Sequence, residues 1–234
     1  MAALRLAVLN ASHDDENTPR NFRRELDADL AEFDVTNGEL PSSFAFDGGV
    51  ITGSRSSVYW DEPWIADLKQ WVGEAVETEM PFLGVCYGHQ ILADVLGGEV
   101  EDMGVYEIGY HDVERVGDSV LLAGVDERFT AFTTHSDAVT RLPPGAEPIA
   151  KNEYSNHGFR KEHVFGVQFH PEYDEQTARE LTMNKELTDE KREEVLAGIT
   201  AENYAAACDS KRLFDNFCAY VREVRDVEPT PVRR

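Results

Sequence analysis

The sequence predicts an α/β fold, a three-layer sandwich with a mostly parallel central sheet, a smaller antiparallel sheet and a C-terminal helical extension. Three observations carry this. In the first hundred residues short apolar runs alternate with helical patterns over short connections, as parallel strands with crossover helices require. From 99 to 168 alternating stretches are separated by turns such as Pro143-Pro144-Gly145, which reads as antiparallel strands. After residue 174 the pattern is helical to about residue 225.

Taken in order, LRLAVLN (4–10) is the expected first buried strand; its start lacks the charged segment and cleavage site of a signal peptide. Pro19 then opens a helix through RNFRRELDADL (20–30), and FDVTN (33–37) reads as a second strand. FDGGVITG (46–53) runs from apolar residues into a glycine turn. Residues 61–78 carry Trp64, Ile65, Leu68, Trp71, Val72 and Val76 at helical spacing. PFLGV (81–85) is a short buried strand, and YGHQILADVLGG (87–98) a helix closed by glycine. EIGYHDVERV (107–116), RFTAFTTH (128–135) and HVFGVQF (163–169) are the antiparallel strands. Two helical runs follow, at 178–198 and 201–224, and a loose tail at 226–234. One domain spans 1–234, with a core over about 4–175 and a helical extension over about 176–225.

The composition limits the partners. Forty-five acidic residues face 22 basic ones, six of them lysines, for a net charge of −23. Such a surface repels nucleic acid phosphates and anionic membranes, which excludes both as direct partners. Acidity spread along the whole chain with scarce lysine fits adaptation to high salt, where screening suppresses self-repulsion. No apolar run approaches the roughly 20 residues of a membrane span, so a cytoplasmic location is expected. Cys86, Cys208 and Cys218 form no CxxC pair; reduced thiols are the simplest reading, with Cys208 and Cys218 as small buried hydrophobes.

Chemistry concentrates in two segments. In GVCYGHQ (84–90) a strand passes into a helix at Cys86, with Gly84 and Gly88 two positions to either side, the thiol counterpart of a G-x-S-x-G nucleophile elbow. The following helix N-terminus offers free N–H groups and positive potential that favour thiolate. In VFGVQFHPE (164–172) an apolar strand delivers His170, and Pro171 stiffens the turn before Glu172. A thiol nucleophile needs a base that can also protonate the leaving group, and an imidazole steadied by a carboxylate supplies both. Neither segment is decisive alone, since cysteines in turns and histidines in loops are commonly structural.

Together, GVCYGHQ and FHPE resemble the class I, triad-type glutamine amidotransferases. VITGSRSSV (50–58), YEIGYHDVERV (106–116) and THSDAV (134–139) resemble further segments of that family, and the likeness covers about residues 4–175. It implies Cys86 as nucleophile, His170 as general acid/base and Glu172 as its orienting partner. The oxyanion hole would be built from Tyr87 and from Gly53 and Ser54. Gln90, Thr134, Ser136 and Asp137 would hold the amino acid end of L-glutamine, and His135 would support their loop. The chain departs from the family at Gly53-Ser54-Arg55, where Gly-Gly-Pro is usual, and at Ser136, where glycine is usual.

The implied reaction is hydrolysis of L-glutamine through a cysteine thioester to glutamate and ammonia, with no metal or organic cofactor. In the family, ammonia passes to a synthetase. No G-x-x-x-x-G-K-[ST] loop occurs here, so an ATP-using synthetase subunit would be a separate partner. Two other readings stand beside this one: a stand-alone γ-glutamyl hydrolase or peptidase, and a non-catalytic binding module on the same fold. The helical extension reads as a packing pair covering the sheet, or else as a docking surface or active-site cover.

Overall fold

The computed structural model describes residues 3–227. A single nine-stranded sheet runs in the order β2-β1-β3-β4-β9-β8-β7-β5-β6. Strands β1 (Arg5–Asn10), β2 (Asp29–Asp34), β3 (Gly48–Ile51), β4 (Phe82–Val85) and β9 (Val164–Val167) pair in parallel. Strands β8 (Asn156–Lys161), β7 (Glu147–Lys151), β5 (Glu99–Arg115) and β6 (Arg128–Arg141) continue antiparallel from β9. The smaller antiparallel sheet expected from the sequence is therefore not separate. Its hydrogen bonds run unbroken into the parallel half through β9, which pairs parallel with β4 on one side and antiparallel with β8 on the other.

The inner parallel strands are short and apolar because both faces are covered. Leu6, Val8, Val50, Leu83 and Val85 pack in one cluster with Phe22 of α1 (Asn17–Glu25) and with Leu213, Phe214, Phe217, Cys218 and Val221 of α7 (Arg212–Val227). Leu9, Ile51 and Phe82 join a second cluster with Trp64, Ile65, Leu68, Trp71 and Val72 of α2 (Pro63–Glu77) and Ile91 and Leu92 of α3 (Tyr87–Val95). Pro63 starts α2, where a missing N–H costs nothing.

Two boundaries differ from expectation. Helix α1 stops at Glu25 rather than running to residue 30, because DLAEFD pairs residue for residue with β1 as strand β2. Of FDVTN, only Phe33 and Asp34 belong to that strand. Val35–Asn37 form a 3-10 turn whose amides are capped by the Asp34 carboxylate.

The helical extension divides in two by packing. Helix α7 completes the main core, and residues 226 and 227 of the expected loose tail lie within it; 228–234 lie outside the described residues. The run at 178–198 is broken at residues 185–188 into α4 (Glu175–Asn184) and α5 (Asp189–Gly198), with the Thr188 hydroxyl capping the second. These helices share a small satellite core with the β5–β6 hairpin: Ala178, Val195 and Ile199 pack on Ile108, Phe132 and Tyr173. A short helix α6 (Ala201–Ala207) and a 3-10 turn lead back to α7.

Candidate active site

Three neighbouring parallel strands deliver their following residues to one edge of the sheet, the carboxyl edge where open α/β sheets hold their ligands. Gly53 lies two residues after β3, Cys86 directly after β4, and His170 three residues after β9. The register places Ile51 beside Gly84 and Val85 beside Val167, so the three arrive side by side.

Cys86 occupies a backbone conformation that L-residues avoid, φ 53° and ψ −102°, at the cap of α3. The turn is held on both sides: Cys86 N–H donates to the Val167 carbonyl at 2.8 Å, and Gln90 N–H donates to the Cys86 carbonyl at 3.2 Å. Its glycine flanks are sterically required. A Cβ on Gly84 would lie 2.4 Å from Gly88 backbone atoms, and one on Gly88 would lie 2.3 Å from the Ile51 carbonyl oxygen.

His170 is buried; its backbone N–H donates to the Phe132 carbonyl and its Nδ1 lies 2.8 Å from Glu172 Oε1. Burial disfavours the charged ring, but the Glu172 carboxylate and the Cys86 sulfur outweigh it and push the pKa up to about 10. Nε2 has no partner of ordinary hydrogen-bond geometry, while Cys86 raises the ring's pKa through both its charge and its hydrogen-bonding sulfur; such contacts commonly tighten only with substrate bound. Gly53 closes the third side, since a Cβ there would lie 2.9 Å from His170 Cε1 and 3.8 Å from Cys86 Cβ. The nucleophile-and-base pair named from the two motifs is thus brought together, with the carboxylate behind it.

The amides expected in the oxyanion hole, those of Tyr87, Gly53 and Ser54, have no hydrogen-bond partner among the described residues. Ser54 Oγ accepts from Ser56 N–H, and Thr52 Oγ lies 2.9 Å from Ala11 N and 3.1 Å from Gly53 O, which ties the loop to β1. Among the expected glutamine-binding residues, Thr134 is closest to the chemistry: its carbonyl lies 3.9 Å from Cys86 Sγ and its hydroxyl 2.7 Å from Tyr106 Oη. Gln90 donates both to the Asp137 carbonyl and to Gln168 Oε1, so only its carbonyl end is left for a ligand. Asp137 Oδ1 accepts from Tyr59 Oη, and Ser136 is half-buried beside it.

His135 sits in a buried network. Glu107 faces it across the β5–β6 register; Glu107 Oε2 lies 2.8 Å from His135 Nε2 and 3.3 Å from His157 Nε2, and Oε1 accepts from Asn152 at 2.7 Å. Burial would raise the Glu107 pKa, but the hydrogen bonds from the two rings hold it well below the usual carboxylate range. Ligand atoms of Glu107, His135 and His157 lie within 4.8 Å of one another, a spacing that could hold a metal ion. The same contacts tie β5 and β8 to the Thr134–Asp137 segment through His135.

Several residues at the site carried no motif. Tyr173 stacks on His170 with ring centroids 4.2 Å apart, and Arg24 of α1 donates to the Glu172 carbonyl. Arg20 and Arg24 also bind Asp174, whose carboxylate caps α4. A cleft of about 870 Å³ opens in front of His170, Gly53 and Thr134, and is walled by Arg55, Tyr106, Glu180, Leu181 and Lys185 among others.

The family model for glutamine amidotransferase class-I matches residues 23–189. The GMP synthase [glutamine-hydrolyzing] of Thermomicrobium roseum is 40% identical over 126 residues, 53% of this chain and 23% of that protein. The enzyme of the same name from Aromatoleum aromaticum is 34% identical over 155 residues, 62% of this chain and 29% of that one. The match therefore spans less than a third of these longer relatives. A solved glutamine amidotransferase from Thermotoga maritima superposes with a TM-score of 0.80 at 25% identity, covering 93% of this chain and 99% of that one. A glutamine amidotransferase from Methylobacillus flagellatus has the same fold, with a TM-score of 0.80 at 20% identity over 100% and 99% of the two chains. With most of its length matched by the family model, the chain belongs to the class-I glutamine amidotransferases.

Proposed function

We propose that the chain is a glutaminase component that hydrolyses L-glutamine and passes ammonia to a separate ATP-using synthetase, in the manner of a GMP synthase. The observation that carries the proposal is the strained Cys86 at a strand end, electrostatically coupled to a buried His170 that Glu172 orients. In this reading the Cys86 thiolate attacks the side-chain amide carbon, and the free amides of Tyr87, Gly53 and Ser54 receive the oxyanion. Each such preorganised donor contributes about 3 kcal/mol to barrier lowering. The imidazolium of His170 protonates the departing nitrogen, ammonia leaves, and the neutral ring then activates water to hydrolyse the thioester. Thr134, Ser136, Asp137 and the carbonyl end of Gln90 are the groups we assign to the amino acid end of the substrate. None of these steps calls for a metal.

The layered packing, with α1 and α7 against one face of the parallel strands and α2 and α3 against the other, supports the three-layer reading. The net charge of −23 supports work in a high-salt cytoplasm, and no described helix is long and apolar enough to cross a membrane. The test is glutamine hydrolysis in high salt by the wild type and Cys86→Ala, with and without candidate synthetases. The proposal expects a loss of at least about a thousandfold in the variant. A loss below about tenfold would remove Cys86 from the chemistry.

A further inference from the structure

His170 is held by more than its carboxylate. Glu172 Oε1 meets Nδ1 at 2.8 Å, which fixes one corner of the imidazole but leaves its plane free to turn about that contact. Nε2, the atom that must deliver and collect the proton, has no partner of ordinary hydrogen-bond geometry among the described residues. What fixes the plane is the ring of Tyr173. Its centroid lies 4.2 Å from that of the imidazole and the two planes are 24° apart, so the rings are stacked. Gly53 closes the edge at Cε1, where there is no room for a Cβ.

Tyr173 is itself locked in place. Its N–H donates to the His170 carbonyl at 3.4 Å, which folds the chain back over Pro171 and Glu172 so that the two rings overlap. The next residue, Asp174, is tied to Arg20 and Arg24 of α1 and caps α4. The Tyr173 ring also packs on Phe132 with centroids 5.8 Å apart, and the Phe132 carbonyl accepts the His170 N–H. Ala178 and Ile199 belong to the same cluster, so Tyr173 joins the satellite core to the triad. The contact is electrostatic as well as steric. Burial opposes a charged imidazole, and the Glu172 carboxylate and Cys86 sulfur outweigh it. An aromatic face carries negative potential and attracts a cation laid over it. Burial, with Glu172 and Cys86 nearby, pushes the Tyr173 phenol well up, so the tyrosine presents that face as a neutral ring.

We propose that Tyr173 is a positioning residue for the acid/base: its face fixes the plane of the His170 ring and favours the imidazolium that protonates the departing nitrogen. The inference rests on His170 having that role in the proposed hydrolysis of glutamine. A ring held in plane keeps Nε2 aimed at one place through the whole cycle. There it takes the thiol proton, gives it to the leaving ammonia and then draws one from water.

The test is steady-state glutamine kinetics on the full chain, under the conditions given above, with urea unfolding of each variant. Tyr173→Leu should lower kcat by about tenfold with KM within about twofold, because the contact acts on proton transfer and not on substrate binding. Tyr173→Phe, which keeps the face and drops only the hydroxyl, should recover most of that loss. Val195→Ala, in the same cluster but without a ring against His170, should lose stability and keep its kcat. A kcat within about twofold of wild type in Tyr173→Leu, an equal loss in Tyr173→Phe, or a loss carried by KM overturns the proposal. Should Tyr173→Leu not fold, Tyr173→Met is read by the same criteria, and a loss of about tenfold in Tyr173→Phe decides against the proposal in either case. A wild type that leaves glutamine unchanged removes the glutaminase reading and this inference together. An active wild type whose Tyr173 variants keep their kcat removes the positioning role alone.

Discussion

The strand ends around Cys86 and the hairpin-and-helix flank around Tyr106 and Lys185 meet in one cleft but are built on different rules. At the first, backbones approach so closely that only glycine fits at 84 and 88, and Cys86 is fixed in a conformation that the surrounding strands impose. At the second, a six-residue satellite core joins α4 and α5 to the β5–β6 hairpin, and the turn between the helices carries charged, partly exposed residues. The difference teaches how labour divides within the cleft. Chemistry needs atoms held to a fraction of an ångström and is housed where many contacts overdetermine the backbone. The flanking wall rests on a separate small cluster and can vary with little cost to the main core.

The largest expected effect tests the rigid side. Glu172→Gln should lower kcat for glutamine by about a thousandfold, since the amide cannot steady the imidazolium. Steady-state kinetics on folded variant protein checks this, and a loss under about tenfold would show that the carboxylate is dispensable. Gly88→Ala should come next. With a Cβ 2.3 Å from the Ile51 carbonyl oxygen, the elbow must shift, at a cost of about 3 kcal/mol measured by urea unfolding.

The raised pKa of His170 gives the third prediction. His170 has its pKa raised from 6.5 to about 10, so its contribution to stability is fully present below pH 6.5 and is lost as pH rises through about 10. In Cys86→Ala the sulfur's share of the shift disappears, and the decline should be complete at lower pH. Unfolding free energies across this window check it; superimposable curves for the two proteins would deny the coupling. The smallest effect belongs to the adaptable side. Val195→Ala in the satellite core should cost about 1 kcal/mol in thermal or urea unfolding, with glutamine kcat within about twofold of the wild type.

What was legible in the sequence follows the same division. Cys86, His170 and Glu172 stand out because an elbow needs small flanking residues and a strand-end histidine needs its carboxylate nearby; the fold then sets them on adjacent strands. The direction of β9 was not legible. Val164–Val167 is apolar on both faces, and such a run carries no sign of whether its neighbour runs parallel or antiparallel. The alternation in DLAEFD was outweighed by an apparent helical continuation, and only pairing with β1 makes it a strand. The break between α4 and α5 had a local signal in Thr188-Asp189-Glu190, a capping residue followed by first-turn acids. Tyr173 and Arg24 had none, because their contacts with His170 and Glu172 depend on how α1 and the chain after β9 pack, which tertiary structure alone decides.

The most direct measurement of the central claim is peptide-resolved mass spectrometry after treatment with a glutamine-mimicking electrophile. The account predicts one covalent adduct per chain, on Cys86, suppressed by excess L-glutamine. Modification of Cys208 or Cys218 in its place, or an unlabelled Cys86 in a preparation that turns glutamine over, would contradict it.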